Sequence, residues 1–198
     1  MKRVVFGEGK HDAHFMCMVM SRCCTNISFD WFIAESIDDS SDLKPAQEPA
    51  VREFVYDRDT GILIKSEEGE NNLRKLVGYY SEYVLDAKFD CIIVSDLDHG
   101  GVDELISSID QKMHNYYSGK ITIPDYSLVD SDPPLRLWNL EFKTTLSDDS
   151  AEVPLLTFDI DLEDAAGIDY ADTWYQRSID LNNFSKQQYV IDIVRQAL

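Results

Sequence analysis

The chain has 198 residues, of which 44% are hydrophobic and 28% charged. That bounds it to one globular domain with a full core, or such a domain with a small appendage, and excludes a disordered chain. Its formal net charge of −19, from 37 acidic and 18 basic residues, lacks the basic footprint by which most nucleic-acid-binding proteins neutralise phosphate. A salt-rich host cytoplasm, or a partner other than nucleic acid, would account for that balance. The longest apolar run, FMCMVM at 15–20, is too short to span a bilayer, and MKRVVFGEGK runs into a strand without the shape of a signal peptide. A cytoplasmic protein with no membrane attachment is expected. Cys17, Cys23, Cys24 and Cys91 have no C-x-x-C spacing and read as buried free thiols.

In chain order, residues 3–7 read as a strand, and GEGKHD turns the chain into a helix over about 11–24, apolar on most faces. ISFDWFIA at 27–34 is a second strand, followed by a polar loop at 36–50. EFVYDRDTGILIK at 53–65 reads as a β-hairpin around DRDTG; a calcium loop there would lack its closing Glu. Leu73, Leu76, Val77, Tyr80, Tyr83 and Val84 recur at helical spacing and predict a helix over about 68–87. FDCIIVS at 89–95 is a continuous apolar strand of the kind buried on both faces in parallel sheets. DLDHGG then leads into a helix at about 101–117.

GKITI at 119–123 is a short strand, and the Pro- and Asp-rich stretch 124–150 embeds a strand candidate, LRLWNLEFKTTL. VPLLTFDIDL at 153–162 is another. Ser185 and Gln188 read as a capping box for a final helix over SKQQYVIDIVRQAL. Strand and helix alternate over the first 123 residues, which predicts an α/β fold with a mostly parallel sheet flanked by helices. Residues 1–123 form the expected core, and the more β-rich residues 124–198 an extension packed on the same domain.

Two acidic segments about ninety residues apart stand out. VVFGEGKHDAHF at 4–15 and CIIVSDLDHGG at 91–101 are both apolar runs that stop abruptly at carboxylates and glycine. A buried strand ends in this way at the working edge of a sheet. If the two strands are neighbours, Glu8, Asp96 and Asp98 converge, and three carboxylates cannot all stay ionised that close without a cation. A hard divalent metal such as Mg²⁺ or Mn²⁺ is the expected cofactor. Asp96 and Asp98, two apart on a continuing strand, can face one ion, and Gly9 and Gly100 leave room for close approach. Solvated loop acids are the plainer alternative in a chain this acidic, and FDIDLED at 158–164 contains another Asp-x-Asp. That alternative leaves unexplained why both clusters directly follow buried strands.

An apolar strand ending in Glu8-Gly9-Lys10-His11-Asp12, then a helix, and later a strand ending in Asp96-Leu97-Asp98-His99-Gly100, resembles the Toprim domain over about residues 3–123. The resemblance implies about four parallel strands between helices, with the acids at their C-terminal edge. It implies that Glu8 serves as general acid or base or as a metal ligand, and that Asp96 and Asp98 hold Mg²⁺. Asp12 is expected to cap the first helix, with contact to the metal shell as the second option. Lys10 and His99 are candidate phosphate contacts, although an exposed turn lysine is the plainer role for Lys10. His11 and His14 lack the spacing of a zinc helix and read as packing or surface residues. In the OLD-type Toprim nucleases a further downstream acid helps hold a second metal; Glu163 is the best candidate for it here, with Asp161 next.

The chain is too short for a topoisomerase gate domain, has none of the additional modules of primases, and lacks a cysteine zinc site before the Toprim segment. A small metal-dependent nuclease acting on DNA or RNA is the expected function. The alternative is a non-catalytic acidic scaffold that binds a protein partner or mimics DNA. A separate ATPase is a further possible partner, since no G-x-x-x-x-G-K-[ST] loop is present.

Overall fold

A computed structural model of the chain describes residues 2–24, 29–33, 49–57, 61–66, 69–97 and 100–198. Its centre is a seven-stranded sheet of order β2-β3-β1-β4-β7-β6-β5. The strands are β1 (Lys2–Gly7), β2 (Phe29–Ile33), β3 (Gly61–Ser66), β4 (Asp90–Asp96), β5 (Ile121–Asp132), β6 (Leu135–Thr144) and β7 (Ser150–Phe158). The pairs β2–β3, β3–β1, β1–β4 and β4–β7 are all parallel, whereas β6 runs antiparallel to both β7 and β5. The fold is therefore mixed α/β and Rossmann-like, with a mostly parallel sheet. The sheet continues without a break from β4 into β7, which comes from beyond residue 123.

The alternation of side chains along each strand builds two cores. Val4, Phe6, Leu63, Cys91 and Ile93 face one side, under α2 (Pro49–Asp57), α3 (Glu70–Leu85) and α4 (Gly101–Tyr117). Val5, Ile62, Ile64, Ile92 and Val94 face the other, under α1 (Lys10–Cys23), α5 (Leu162–Ala166), α6 (Trp174–Phe184) and α7 (Gln188–Gln196). Strands buried on both faces need apolar residues at every position, which is why β1 and β4 read as unbroken apolar runs. Gly78 lets α3 and α4 approach closely, because a Cβ there would lie 2.8 Å from Lys112 Cβ and 3.1 Å from the Lys112 carbonyl carbon.

Several expectations need correction. Residues 53–57 are not the first arm of a hairpin but the end of α2, and β3 pairs in parallel with β1. Val51, Phe54 and Val55 form a stripe at helical spacing that is buried against the sheet, and this burial outweighs the turn signal of DRDTG on which the hairpin reading rests. The turn expected at 58–60, like most of the loop expected at 36–50, lies outside the described residues. β5 runs on through Pro124 to Asp132 and turns into β6 at Pro133–Pro134. Its proline and acids are tolerated because it is an edge strand. β7 ends at Phe158, short of the expected 162. Ser185 does not cap the last helix; it closes α6, where its Oγ donates to the Asn182 carbonyl at 3.0 Å, and α7 starts at Gln188. The described residues contain no helix long and apolar enough to cross a membrane.

Candidate active site

Three adjacent parallel strands, β1, β4 and β7, end at the same edge of the sheet. Gly7 pairs with Val94, so Glu8 leaves β1 beside Ser95, and the Ser95 hydroxyl donates to Glu8 Oε2 at 3.2 Å. Asp96 closes β4 opposite Phe158 of β7. Just past β7, Asp161 caps α5 by accepting from the Asp164 amide at 2.6 Å. Asp96 Oδ1 accepts from the Leu162 amide, the first of that helix, at 3.0 Å. Strand β4 and helix α5 are thereby tied together through one carboxylate, which places Glu163 at the same edge.

Asp12 joins them from α1. Its Oδ2 accepts from the Gly9 amide at 2.7 Å, so it does cap the helix as expected, yet it is buried at 4% exposure. The glycine that makes room for it is Gly7, where a Cβ would lie 2.9 Å from Asp12 Cβ. A Cβ on Gly9 would meet nothing closer than Asp12 Oδ2 at 3.8 Å, and one on Gly100 would press on the flexible Glu104 side chain.

The four carboxylates feel one another. Burial, then repulsion from Asp12, Glu8 and Glu163, pushes Asp96 up to about 9, against a hydrogen bond from the Leu162 amide. Burial lifts Asp12 to about 8, with Glu8 and Glu163 adding to it and the Gly9 amide opposing it. Glu163 behaves differently: burial would raise it, but the His11 hydrogen bond, a backbone amide and the His11 charge together outweigh burial and hold it below its usual value. The His11 Nδ1–H donates to Glu163 Oε1, and Tyr170 lies close enough to feel the charge of that carboxylate.

Of the residues singled out by sequence, Glu8, Asp12, Asp96 and Glu163 are brought together. Asp98 and His99 lie outside the described residues. Asp161 serves as a helix cap, while Lys10 is exposed at the start of α1 with its Nζ 5.1 Å from the centroid of the Trp174 ring. His11 is a packing residue, as expected, but a particular one: buried, stacked on Trp174 at 5.3 Å with 12° between the rings, and bonded to Glu163. Sequence reasoning missed Ser95, Tyr170 and Trp174. Ser95 directly precedes the Asp-x-Asp and was legible as its neighbour; the two aromatics lie in a segment with no motif.

Among the described residues no group of three or more His, Cys, Asp or Glu is arranged to hold a metal ion. The physical reason is visible: Glu8 is turned to Ser95, Asp12 to Gly9, Asp96 to Leu162 and Glu163 to His11. The donor set nevertheless suits a hard divalent cation in its chemistry, being all oxygen, largely buried and close enough together for mutual repulsion. A cavity of about 360 Å³ lies elsewhere, at the opposite end of the sheet beside Arg3, Asp90 and the chain's last residues. Comparison with family models, with curated proteins and with solved structures finds no match to this chain.

Proposed function

We propose that the chain is a divalent-metal-dependent phosphodiesterase of the Toprim type, hydrolysing DNA or RNA at the carboxylate cluster. The observation that carries this reading is the gathering of Glu8, Asp12, Asp96 and Glu163 at the edge of three adjacent strands, where burial first, and repulsion from the neighbouring carboxylates second, lifts Asp12 and Asp96 well above the carboxylate range. Groups so displaced are where acid–base or metal chemistry is found more often than elsewhere. Glu8, Asp96 and Glu163 would hold the metal, with Asp98 as a further donor. Bound Mg²⁺ or Mn²⁺ supplies a Lewis acid for the phosphodiester and lowers the pKa of an attacking water.

The chain's own residues do the rest. Glu8, oriented by Ser95, takes a proton from the water whose oxygen adds to phosphorus. One P–O ester bond breaks, and the departing sugar oxygen takes its proton from solvent water. Asp12 and Asp96 release protons as the cation enters, and His11 keeps Glu163 ionised and fixed in direction.

The test is incubation of the full chain with Mg²⁺ or Mn²⁺ and a panel of single-stranded, duplex and circular DNA and RNA, with metal binding followed in parallel by calorimetry. The expected result is metal-dependent cleavage that falls at least about 100-fold in Glu8→Gln and Asp96→Asn. Cleavage by the variants equal to wild type, or none by wild type, removes the reading. A second reading is favoured by the same raised proton affinities, because a cluster that holds protons is stable without a metal. The protein would then be a non-catalytic acidic scaffold for a basic protein partner, and millimolar Mg²⁺ would leave its melting temperature unchanged.

A further inference from the structure

Beside the carboxylates lies a surface that the hydrolytic reading does not use. Tyr170, 65% exposed, and Trp174, 39% exposed, sit in and just after the turn that joins α5 to α6. Each is wired to the cluster by a different contact. Tyr170 lies near enough to Glu163 to feel its charge, and Trp174 stacks on His11, which bonds the same glutamate. The edge of His14 also meets Trp174, at 4.9 Å. Each ring carries a cation as well: Lys10 Nζ lies 5.1 Å from the Trp174 centroid, and the Arg177 guanidinium carbon 5.4 Å from that of Tyr170.

Two aromatic rings at the surface, each with a cation at hand, suit a partner that is flat and anionic. In a chain with only 18 basic residues, two cations placed at one acidic site are a notable concentration. A nucleotide has the complementary chemistry. Its base offers a π-face for stacking, and its phosphate offers a partner for Lys10 and Arg177. A base inside a duplex has no free face. We infer that the substrate is a nucleic-acid strand with unpaired bases, and that Tyr170 and Trp174 stack the nucleotides flanking the scissile phosphate. This deepens the reading above and rests on it for the position of that phosphate.

The experiment separates binding from cleavage. Fluorescein-labelled 15-nucleotide single strands of DNA and RNA, a 15-base-pair duplex and an abasic 15-mer with the same phosphates are titrated with the full chain in Ca²⁺. Affinity is read by anisotropy, and cleavage of each is measured separately in Mn²⁺. The base-carrying single strands should bind about 10-fold or more tighter than the duplex and the abasic strand. Trp174→Ala and Tyr170→Ala should each lose about 10-fold, while Trp174→Phe and Tyr170→Phe, which keep a ring, retain most of the affinity. Tyr175, 76% exposed and one position further along α6, projects about 100° round the helix from Trp174. Tyr175→Ala should therefore bind like wild type and controls for general loss of aromatic surface.

Equal affinity for abasic and base-carrying strands overturns the inference, as does undiminished binding by both alanine variants or absence of binding to any probe. Ring-dependent binding without cleavage in Mn²⁺ would sustain the stacking surface and remove the nuclease. Asp96-dependent cleavage that treats duplex and single strand alike would do the reverse. The relative affinity of the DNA and RNA strands identifies which sugar the surface accepts.

Discussion

If Asp12 and Asp96 hold protons in the native chain, stability must fall as pH rises, against the usual behaviour of carboxylates. Unfolded carboxyls titrate near 4, whereas the native pair is lifted to about 8 and about 9. Between those limits the native state binds more protons than the unfolded one, so unfolding free energy decreases with pH. The stability from this source is complete below about pH 4 and is lost as pH climbs through the native values. One proton retained by the pair gives a slope of about 1.4 kcal/mol per pH unit, and two give about 2.7 at most. For a chain of this length the smaller slope lowers the melting temperature by about 3–6 °C per pH unit.

The assay is thermal unfolding in EDTA from pH 5.5 to 8.5, wild type against the double variant Asp12→Asn, Asp96→Asn. Self-repulsion from the net charge of −19 acts in the same direction in both proteins. His14, which burial pushes below its usual value, acts in the opposite direction, again in both. The difference between the two curves therefore isolates the pair. Asparagine stands in for the protonated carboxyl at every pH, so the two curves should separate as pH rises, with wild type losing stability faster. Parallel curves would refute the claim that these carboxyls share protons. Added Mg²⁺ should raise the melting temperature more at pH 8.5 than at pH 5.5, because the cation no longer has to displace protons.

Three structural variants test the scaffold under the cluster. Gly7→Ala puts a Cβ 2.9 Å from that of Asp12 and should cost about 1–3 kcal/mol by urea unfolding, with weaker metal binding. Asp161→Ala removes the cap of α5; a loss of about 1 kcal/mol is expected, and a larger fall in any metal-dependent cleavage than in stability, since Glu163 rides on that helix. Phe158→Ala empties a fully buried site that Phe15 and Phe184 line, and should cost about 3–5 kcal/mol in the same unfolding assay.

What the sequence disclosed follows from how locally each signal is encoded. Helix α4 was legible to the residue, because Gly100 and Gly101 break the acidic loop and Leu105, Ile106, Ile109 and Met113 form one buried stripe. The meeting of Glu8 with Asp96 was legible for a similar reason, since unbroken apolar runs signal strands that lie in the middle of a parallel sheet. Helix α2 was not, since Glu53–Asp57 is too short a run to fix its period, the DRDTG that follows reads as a turn, and only the sheet beneath decides it. Helix α6 was missed because its buried residues are few, Leu181 and Phe184 among them, and its exposed face carries Trp174 and Tyr175. Glu163 could be suspected but not placed. Its position depends on β7 inserting beside β4 across a gap of more than fifty residues, and on Asp96 seizing the free amide of α5.

The acidity of the chain finally makes its dependence on salt informative. A typical duplex-binding protein neutralises six to ten phosphates, and its affinity drops steeply with salt as counterions are released. Here the contacts offered are Lys10 and Arg177, two charges, for which a single strand gives a slope of log affinity on log salt of about −1.4. Repulsion between the strand and a surface of net −19 works against even that, and salt screens it within a Debye length of about 10 Å at 0.1 M. Binding of a 15-nucleotide strand should therefore weaken by no more than about 10-fold between 50 and 300 mM salt, since stacking is the part that salt leaves alone. An acidic scaffold bound to a basic protein would weaken steeply over the same range, because opposite charges would draw the two together and salt would screen that attraction. A slope for the oligonucleotide steeper than about −4 would mean that more cations reach the phosphates than Lys10 and Arg177 can account for. Stacking on Tyr170 and Trp174 would then not be the main source of affinity.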